Sequence, residues 1–152
     1  IYYLQSNPRY PNPLNPDEME FLIEEYRSVK GDRAVELLVG FRINLLEAEK
    51  YYRLSKKSYR ADLHRYGVNC KNEEYLNESI RDTRTSIAKI NEMLENLTVL
   101  KNDYPEEFSI LGISDEWVGK MQAETEDFEA EIRYKLDLWN QFCSQKATQP
   151  TE

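Results

Sequence analysis

Histidine and cysteine are almost missing from this sequence, and their scarcity restricts the metal chemistry that it could support. The 152 residues include one histidine, His64, and two cysteines, Cys70 and Cys143. Dinuclear metal enzymes built on helical bundles need Glu-x-x-His ligand pairs, but Ala61 stands where that Glu would precede His64. One histidine and two separated cysteines supply too few ligands for a metal site.

Glycine is also scarce, with five residues that stand singly or at predicted helix ends. A phosphate-binding loop needs clustered glycines after a strand, so a nucleotide site of that kind is not predicted. Ser114, in the sequence GISDEW, is predicted to cap a helix rather than to act as a nucleophile, because no strand precedes it. We therefore predict a protein that is not an enzyme and that holds no metal or other cofactor.

Long apolar runs are absent as well. The densest apolar stretch, VELLVGF, is short and lies between charged residues, whereas a membrane-spanning helix needs roughly 20 apolar residues. Acidic residues outnumber basic ones by 28 to 20, and the resulting net charge of −8 disfavours binding to nucleic acid. Because the chain begins at Ile1, we expect a processed or trimmed N-terminus, which leaves organelle, secreted and particle-associated locations all open.

Strand-like alternation is missing too, and the apolar residues instead recur at spacings of three and four, as on helices. Three long helices are predicted: from Asp32 to about Gly67, from about Asn72 to Asn102, and from Ser114 to about Cys143. Their predicted buried stripes are Ala34, Leu38, Phe41, Leu45, Ala48, Tyr52, Ser55, Tyr59 and Leu63; Leu76, Ile80, Thr83, Ile87, Ile90, Leu94 and Leu97; and Val118, Met121, Thr125, Phe128, Ile132, Leu136, Trp139 and Phe142.

A short helix precedes these three. Asn15 is predicted to cap it, with Pro16 at the first helical position and Glu18 in a capping box, and we expect it to end near Gly31. Narrow apolar stripes on long helices are typical of coiled-coil-like packing. We therefore predict an all-α fold: an antiparallel, coiled-coil-like bundle of three long helices plus one short N-terminal helix, with one or two further helical turns over 105–112.

An extended arm rich in proline and tyrosine leads into the bundle. Four of the six prolines lie in the first 16 residues, and proline favours extended backbone. We divide the chain into an arm over 1–15, a bundle over 16–146 and a polar tail over 147–152. Such an arm is typical of segments that bind along a partner's groove, the alternative being that it folds back on its own bundle. The predicted partner-binding residues are Tyr2, Tyr3, Leu4, Tyr10, Pro11, Pro13 and Leu14.

The up, down and up order of the three long helices places Cys70 and Cys143 at the same end of the bundle. There they can form a disulfide, the alternative being two reduced cysteines. A disulfide would indicate an oxidising compartment.

Charge is unevenly distributed along the chain. Residues 50–66 carry six Lys or Arg and one Asp among four tyrosines, whereas 124–131 carry five acids and no base. We expect the two stretches to lie apart, so that the molecule is polar along its length and docks by one end or head to tail. The alternative is a pair of ordinary solvated faces with i to i+4 ion pairs such as Glu49 with Arg53.

Trp117-Val118-Gly119 resembles the Trp-x-Gly signature of the WxG family of small helical-hairpin secretion substrates and their helical partners. The resemblance spans these three residues, and the chain departs from the family pattern in its upstream arm and helices. It implies a turn between helices and a secreted or chaperone-like role. Trp117 as a core residue of the first helical turn and Gly119 as a small packing residue are the alternative.

Two functions follow from these patterns. The first is a non-catalytic structural or adaptor subunit of a larger multisubunit complex or particle, which docks through its arm and charged bundle faces onto other protein subunits. The second is a secreted or chaperone-like helical-bundle partner with a Trp-x-Gly turn.

Overall fold

A computed structural model describes residues 14–63, 70 and 73–144 of the 152-residue chain. They form α1 (Pro16–Arg27), α2 (Arg33–Leu63), α3 (Glu73–Asp103), α4 (Pro105–Ile110) and α5 (Asp115–Trp139), followed by a π-helical turn, Asn140–Ser144. No residue in this described part lies in a strand. The predicted all-α class of packed helices is thereby confirmed.

Three helices begin at the predicted caps. The Asn15 side chain accepts a hydrogen bond from the Glu18 amide at 2.8 Å, Asp32 accepts one from Val35 at 3.0 Å, and Ser114 accepts one from Trp117 at 3.1 Å. Each bond satisfies a backbone amide that has no partner within its helix.

The end of α1 differs from the prediction. The helix stops at Arg27 rather than near Gly31, because the Ser28 hydroxyl donates to the Glu25 carbonyl at 2.6 Å. That bond closes the last turn without a left-handed glycine.

Antiparallel contacts set the direction of α2, α3 and α5. Between α2 and α3, Ser86 donates to the Ala48 carbonyl and Ser79 contacts Ser55. Residue numbers therefore rise along one helix while they fall along the other, so the two helices are antiparallel. Between α3 and α5, Lys135 contacts Ser79 and Lys101 contacts Asp115, again in opposite order. α2 and α5 consequently run parallel to each other, as the ring pairs of Tyr52 with Phe128 and Phe41 with Trp117 show.

Two apolar clusters lie on different sides of α2. The larger one joins α2, α3 and α5 and includes Phe41, Ala48 and Tyr52. The smaller one joins α1 to α2 through Met19, Ile23 and Leu46. Because residues 46 and 48 point about 200° apart around a helix, α1 and α5 pack on opposite sides of the α2–α3 pair.

The buried surface of the helices is wider and more polar than the predicted narrow stripes. Most of the predicted α3 positions are buried, with Leu94 partly so. The stripe of α3 also includes Ser79, Asp82 and Ser86, while α2 buries three polar residues outside its predicted stripe, Asn44, Glu47 and Glu49. A helix that packs against neighbours on two sides buries two of its faces. The three-and-four spacing of apolar residues predicts only one of those faces.

The end of α5 corrects one predicted core residue. Phe142 is 46% exposed, and its neighbour Cys143 is 6% exposed and faces the bundle. The π-helical turn over Asn140–Ser144 explains the change, because a wider turn shifts the inward-facing position by about one residue.

Within the described part of the chain, no helix combines the length and the apolar composition that spanning a membrane requires.

Candidate functional site

A cluster of buried polar side chains lies where α2, α3 and α5 meet. It consists of Ser55, Ser79, Thr83 and Lys135, of which the three hydroxyl residues are 0% exposed and Lys135 is 6% exposed. Ser55 contacts Thr83 at 2.6 Å and Ser79 at 3.1 Å, and the Lys135 ammonium donates to the Ser79 hydroxyl oxygen at 2.9 Å. A lysine beside a serine in a protein interior is a pairing that some hydrolases use for nucleophilic catalysis.

The hydrogen-bond directions do not suit that chemistry. Ser79 donates its own hydroxyl hydrogen to the Ser55 carbonyl at 2.9 Å, and Thr83 donates to the Ser79 carbonyl at 2.9 Å. Lys135 therefore donates to Ser79 rather than accepting its proton, as a general base would. In this arrangement the cluster satisfies its polar groups internally and fixes the register of three helices.

Aromatic and charged groups continue the cluster toward the surface. The Tyr52 ring stacks on Phe128 at a centroid distance of 4.2 Å, and its hydroxyl donates to Glu131 at 3.0 Å. Burial lowers the pKa of Lys135, with Glu131 opposing this shift and Lys56 adding to it.

These contacts correct the expected separation of the charged stretches. Tyr52 belongs to the basic stretch over 50–66 and Glu131 to the acidic stretch over 124–131, and the two residues are hydrogen-bonded. Because α2 and α5 run parallel, the end of the acidic stretch lies level with the beginning of the basic one.

Leu14, the first residue that the structure describes, is attached to α2. The Arg53 guanidinium donates to the Leu14 carbonyl and pairs with Glu49 at 2.6 Å, which is the predicted i to i+4 pair. The Leu14 side chain packs on the small α1–α2 cluster. Burial raises the pKa of Glu49 to about 7, although Arg53 opposes the shift.

Of the seven predicted partner-binding residues, only Leu14 is described, and it contacts its own bundle. The other six, Tyr2, Tyr3, Leu4, Tyr10, Pro11 and Pro13, lie outside the described residues.

Ion pairs hold α1 on α2, and one of the acids involved also pairs with α3. Lys50 pairs with Glu20 at 2.6 Å, and Glu47 contacts both Arg27 at 2.8 Å and Lys89 at 3.0 Å. The hydrogen bond from Lys50 lowers the pKa of Glu20, and the hydrogen bond to Glu47 raises that of Lys89. α1 is consequently held on α2, which Glu47 also joins to α3.

Cys70 and Cys143 form a disulfide, with Cα atoms 5.4 Å apart. The bond joins the segment that precedes α3 to the π-helical turn that follows α5. It closes the end of the bundle opposite to α4.

A groove lies between the outer faces of α3 and α5, and sequence reasoning did not find it. Its volume is about 300 Å³, and its lining residues are Arg84, Ile87, Glu129, Ile132 and Arg133. We call it the arginine groove. Among the described residues, no Asp or Glu oxygen lies within 4.0 Å of the Arg84 or Arg133 guanidinium. In the sequence, the only indication of this groove is an arginine close to a predicted buried isoleucine on each of the two helices. That pattern points to a groove only once the register between α3 and α5 is known.

The Trp-x-Gly segment has an anchored tryptophan and an open glycine. Trp117 packs on the main core and meets Phe41 edge to face at 6.1 Å. Gly119 is exposed, and a Cβ built on it would have no neighbour within 4 Å. Close packing therefore does not explain Gly119.

No group of three or more His, Cys, Asp or Glu residues in the described part of the chain could hold a metal ion. The sequence matches no known protein family and no curated protein, and the fold matches no solved structure.

Proposed function

We propose that this chain is a non-catalytic structural or adaptor subunit of a larger protein assembly. In this proposal the three long helices, each antiparallel to the next along the chain, form a rigid bundle with the short α1. Residues 1–13 form an arm that binds a neighbouring subunit. The charged faces of the bundle provide further contacts. A rigid bundle with a separate binding arm suits an adaptor, because a rigid body and a proline-restricted arm lose little conformational entropy on binding.

The observation that best supports the proposal is the fixed root of the arm. Arg53 holds the Leu14 carbonyl, Leu14 packs on α1 and α2, and ion pairs tie α1 to α2. A segment that begins from a fixed point has a defined direction, which raises its effective concentration at a partner site beside the bundle.

The experiment is native mass spectrometry of the tagged chain recovered from the cells that produce it. We expect the full chain in a complex of defined stoichiometry, and we expect deletion of residues 1–13 to abolish incorporation while leaving the melting temperature unchanged. Arg53→Met should reduce incorporation at least tenfold by releasing the arm root. Lys57→Met, which changes an exposed base in the same stretch, is the matched control. Normal incorporation of the deletion variant would contradict the proposal.

A secreted or chaperone-like partner of another helical protein is the second candidate, and the disulfide favours it, since disulfides persist in oxidising compartments. Gly119 offers a clean test, because a methyl group there meets open space. Gly119→Ala should leave the fold intact and weaken partner binding if the Trp-x-Gly segment is recognised. Unchanged capture of a helical partner by Gly119→Ala would count against this role.

A further inference from the structure

An aromatic side chain surrounded by acids projects from α1. Phe21 is 65% exposed, the residues one turn before it are Asp17 and Glu18, and those one turn after it are Glu24 and Glu25. Positions three and four apart lie on the same side of a helix, so these four acids surround the ring. We call Phe21 and the four acids the acidic knob. Among the described residues, Arg27 pairs with Glu24, and no base pairs with Asp17, Glu18 or Glu25.

The arginine groove has the complementary chemistry. Ile87 and Ile132 are apolar residues of its lining, and Arg84 and Arg133 contribute one guanidinium from each helix. Its volume of about 300 Å³ is at the lower end of the roughly 300–1,000 Å³ that ligand sites span, which is enough for one aromatic side chain. Arginine binds carboxylates with paired hydrogen bonds, so unpaired guanidinium groups beside apolar residues suit an acid-flanked phenyl ring.

The knob and the groove cannot meet within one chain. α1 packs on one side of the α2–α3 pair, and α5, which forms half of the groove, packs on the other. We propose that the arginine groove binds the acidic knob of a second copy of this chain, head to tail. The Phe21 ring of one copy covers Ile87 and Ile132 of the next, which are 9% and 6% exposed in the groove lining, and carboxylates of the knob pair with Arg84 and Arg133.

The geometry of this contact determines how the assembly grows. Two different surfaces meet, so a copy whose knob fills a groove still offers its own groove, and a copy whose groove is filled still offers its own knob. The product is an open chain of subunits or a closed ring rather than a symmetric dimer. The net charge of −8 on each copy opposes association, so we expect it at high protein concentration. Glu129 lies in the groove among the arginines and opposes the knob as well.

This inference goes beyond the adaptor function, because it involves neither the arm nor another protein. Deletion of residues 1–13 should leave self-association unchanged. Failure of the adaptor proposal and failure of this one are therefore separable.

The test is sedimentation velocity of the full chain over a wide concentration range. We expect concentration-dependent species larger than a monomer. Arg84→Glu with Arg133→Glu, and separately Phe21→Ser, should each lower the association constant at least tenfold. Arg33→Glu with Lys57→Glu changes the net charge by the same amount outside the groove, and it serves as the control for general repulsion. Circular dichroism checks that each variant stays helical.

Mixing the two deficient variants gives the sharpest result. The Arg84→Glu, Arg133→Glu chain keeps its knob and the Phe21→Ser chain keeps its groove, so together they should form one-to-one dimers that grow no further. Glu129→Gln should strengthen association of the otherwise unchanged chain. A monomeric full chain at all concentrations would overturn the proposal, as would a mixture that stays monomeric. Oligomers that neither variant weakens would assign self-association to another surface and would equally overturn it.

Discussion

The two sides of α2 are held by different forces. Toward α5, α2 contributes one stacked and one edge-to-face aromatic pair, both within the larger apolar cluster. Toward α1, it contributes one buried leucine and two ion pairs near the surface. Burial of large apolar groups stabilises a fold far more than partly exposed ion pairs do. We therefore infer that α5 belongs to the cooperative core, whereas α1 contributes less to the stability of the fold.

The largest effect on stability is expected from a substitution in the core between α2 and α5. Phe128 is 1% exposed and stacks on Tyr52, so Phe128→Ala should lower the free energy of unfolding by about 3–5 kcal/mol. Chemical denaturation measures this value. Ile23→Ala, at a 0% exposed site of the α1 cluster, should instead raise amide exchange in α1 with little change in α3. Equal exchange throughout the molecule in both variants would show that the two sides unfold together.

The next effect comes from the disulfide, which holds the end of α5 to the α2–α3 pair. It links cysteines 73 residues apart, and a loop of that length should contribute about 2–4 kcal/mol. Cys143→Ser should therefore lower the melting temperature and raise amide exchange in the last turns of α5 while α1 is unaffected. Reduction of the native chain should reproduce the loss, and Cys143→Ser should be insensitive to reductant.

A smaller effect is expected at the charged residue inside the core. Burial lowers the pKa of Lys135, so the folded chain releases this proton more readily than the unfolded chain does. Stability should thus rise as pH increases from the lowered folded pKa toward the ordinary lysine value. Lys135→Met should remove that rise and be neutral or stabilising by about 1 kcal/mol at neutral pH. Denaturant midpoints measured across pH give both the pH dependence and the stability of the variant. A strongly destabilised Lys135→Met chain would show that the hydrogen bond to Ser79 stabilises the fold by more than the burial of the charge costs.

The smallest effect is expected at Glu49, which pairs with the arginine that holds Leu14. Glu49 has a pKa raised from 4.5 to about 7, so the folded chain binds a proton that the unfolded chain has lost. The associated stability is present below pH 4.5 and is lost as pH rises through 7. Glu49→Gln should flatten this dependence and change stability by about 1 kcal/mol or less. Glu36→Gln, an exposed acid on the same helix, should keep the native dependence.

Part of this structure could be predicted from local sequence. Asn15, Asp32 and Ser114 act on amides within three residues of themselves, so their role as caps depends on no distant contact. The helical periodicity is equally local. The burial of Glu47 on α2 was not predicted, because its partners Arg27 and Lys89 come from other helices. Phe142 was misplaced because a π-helical turn leaves no mark in a pattern of three and four.

The candidate sites likewise include one that local sequence predicts and one that depends on tertiary contacts. The cysteines could be placed at one end of the bundle from helix order alone, whereas the arginine groove combines residues more than 40 positions apart. The sequence by itself determined that this chain is helical, where several of its helices begin and which residues are apolar, since these depend on neighbours within one or two turns. Only the tertiary structure decided that α1 and α5 lie on opposite sides of α2 and α3, that Lys135 sits among hydroxyl groups, and that two arginines face one groove. These features depend on the relative rotation and register of helices, which packing between distant segments sets.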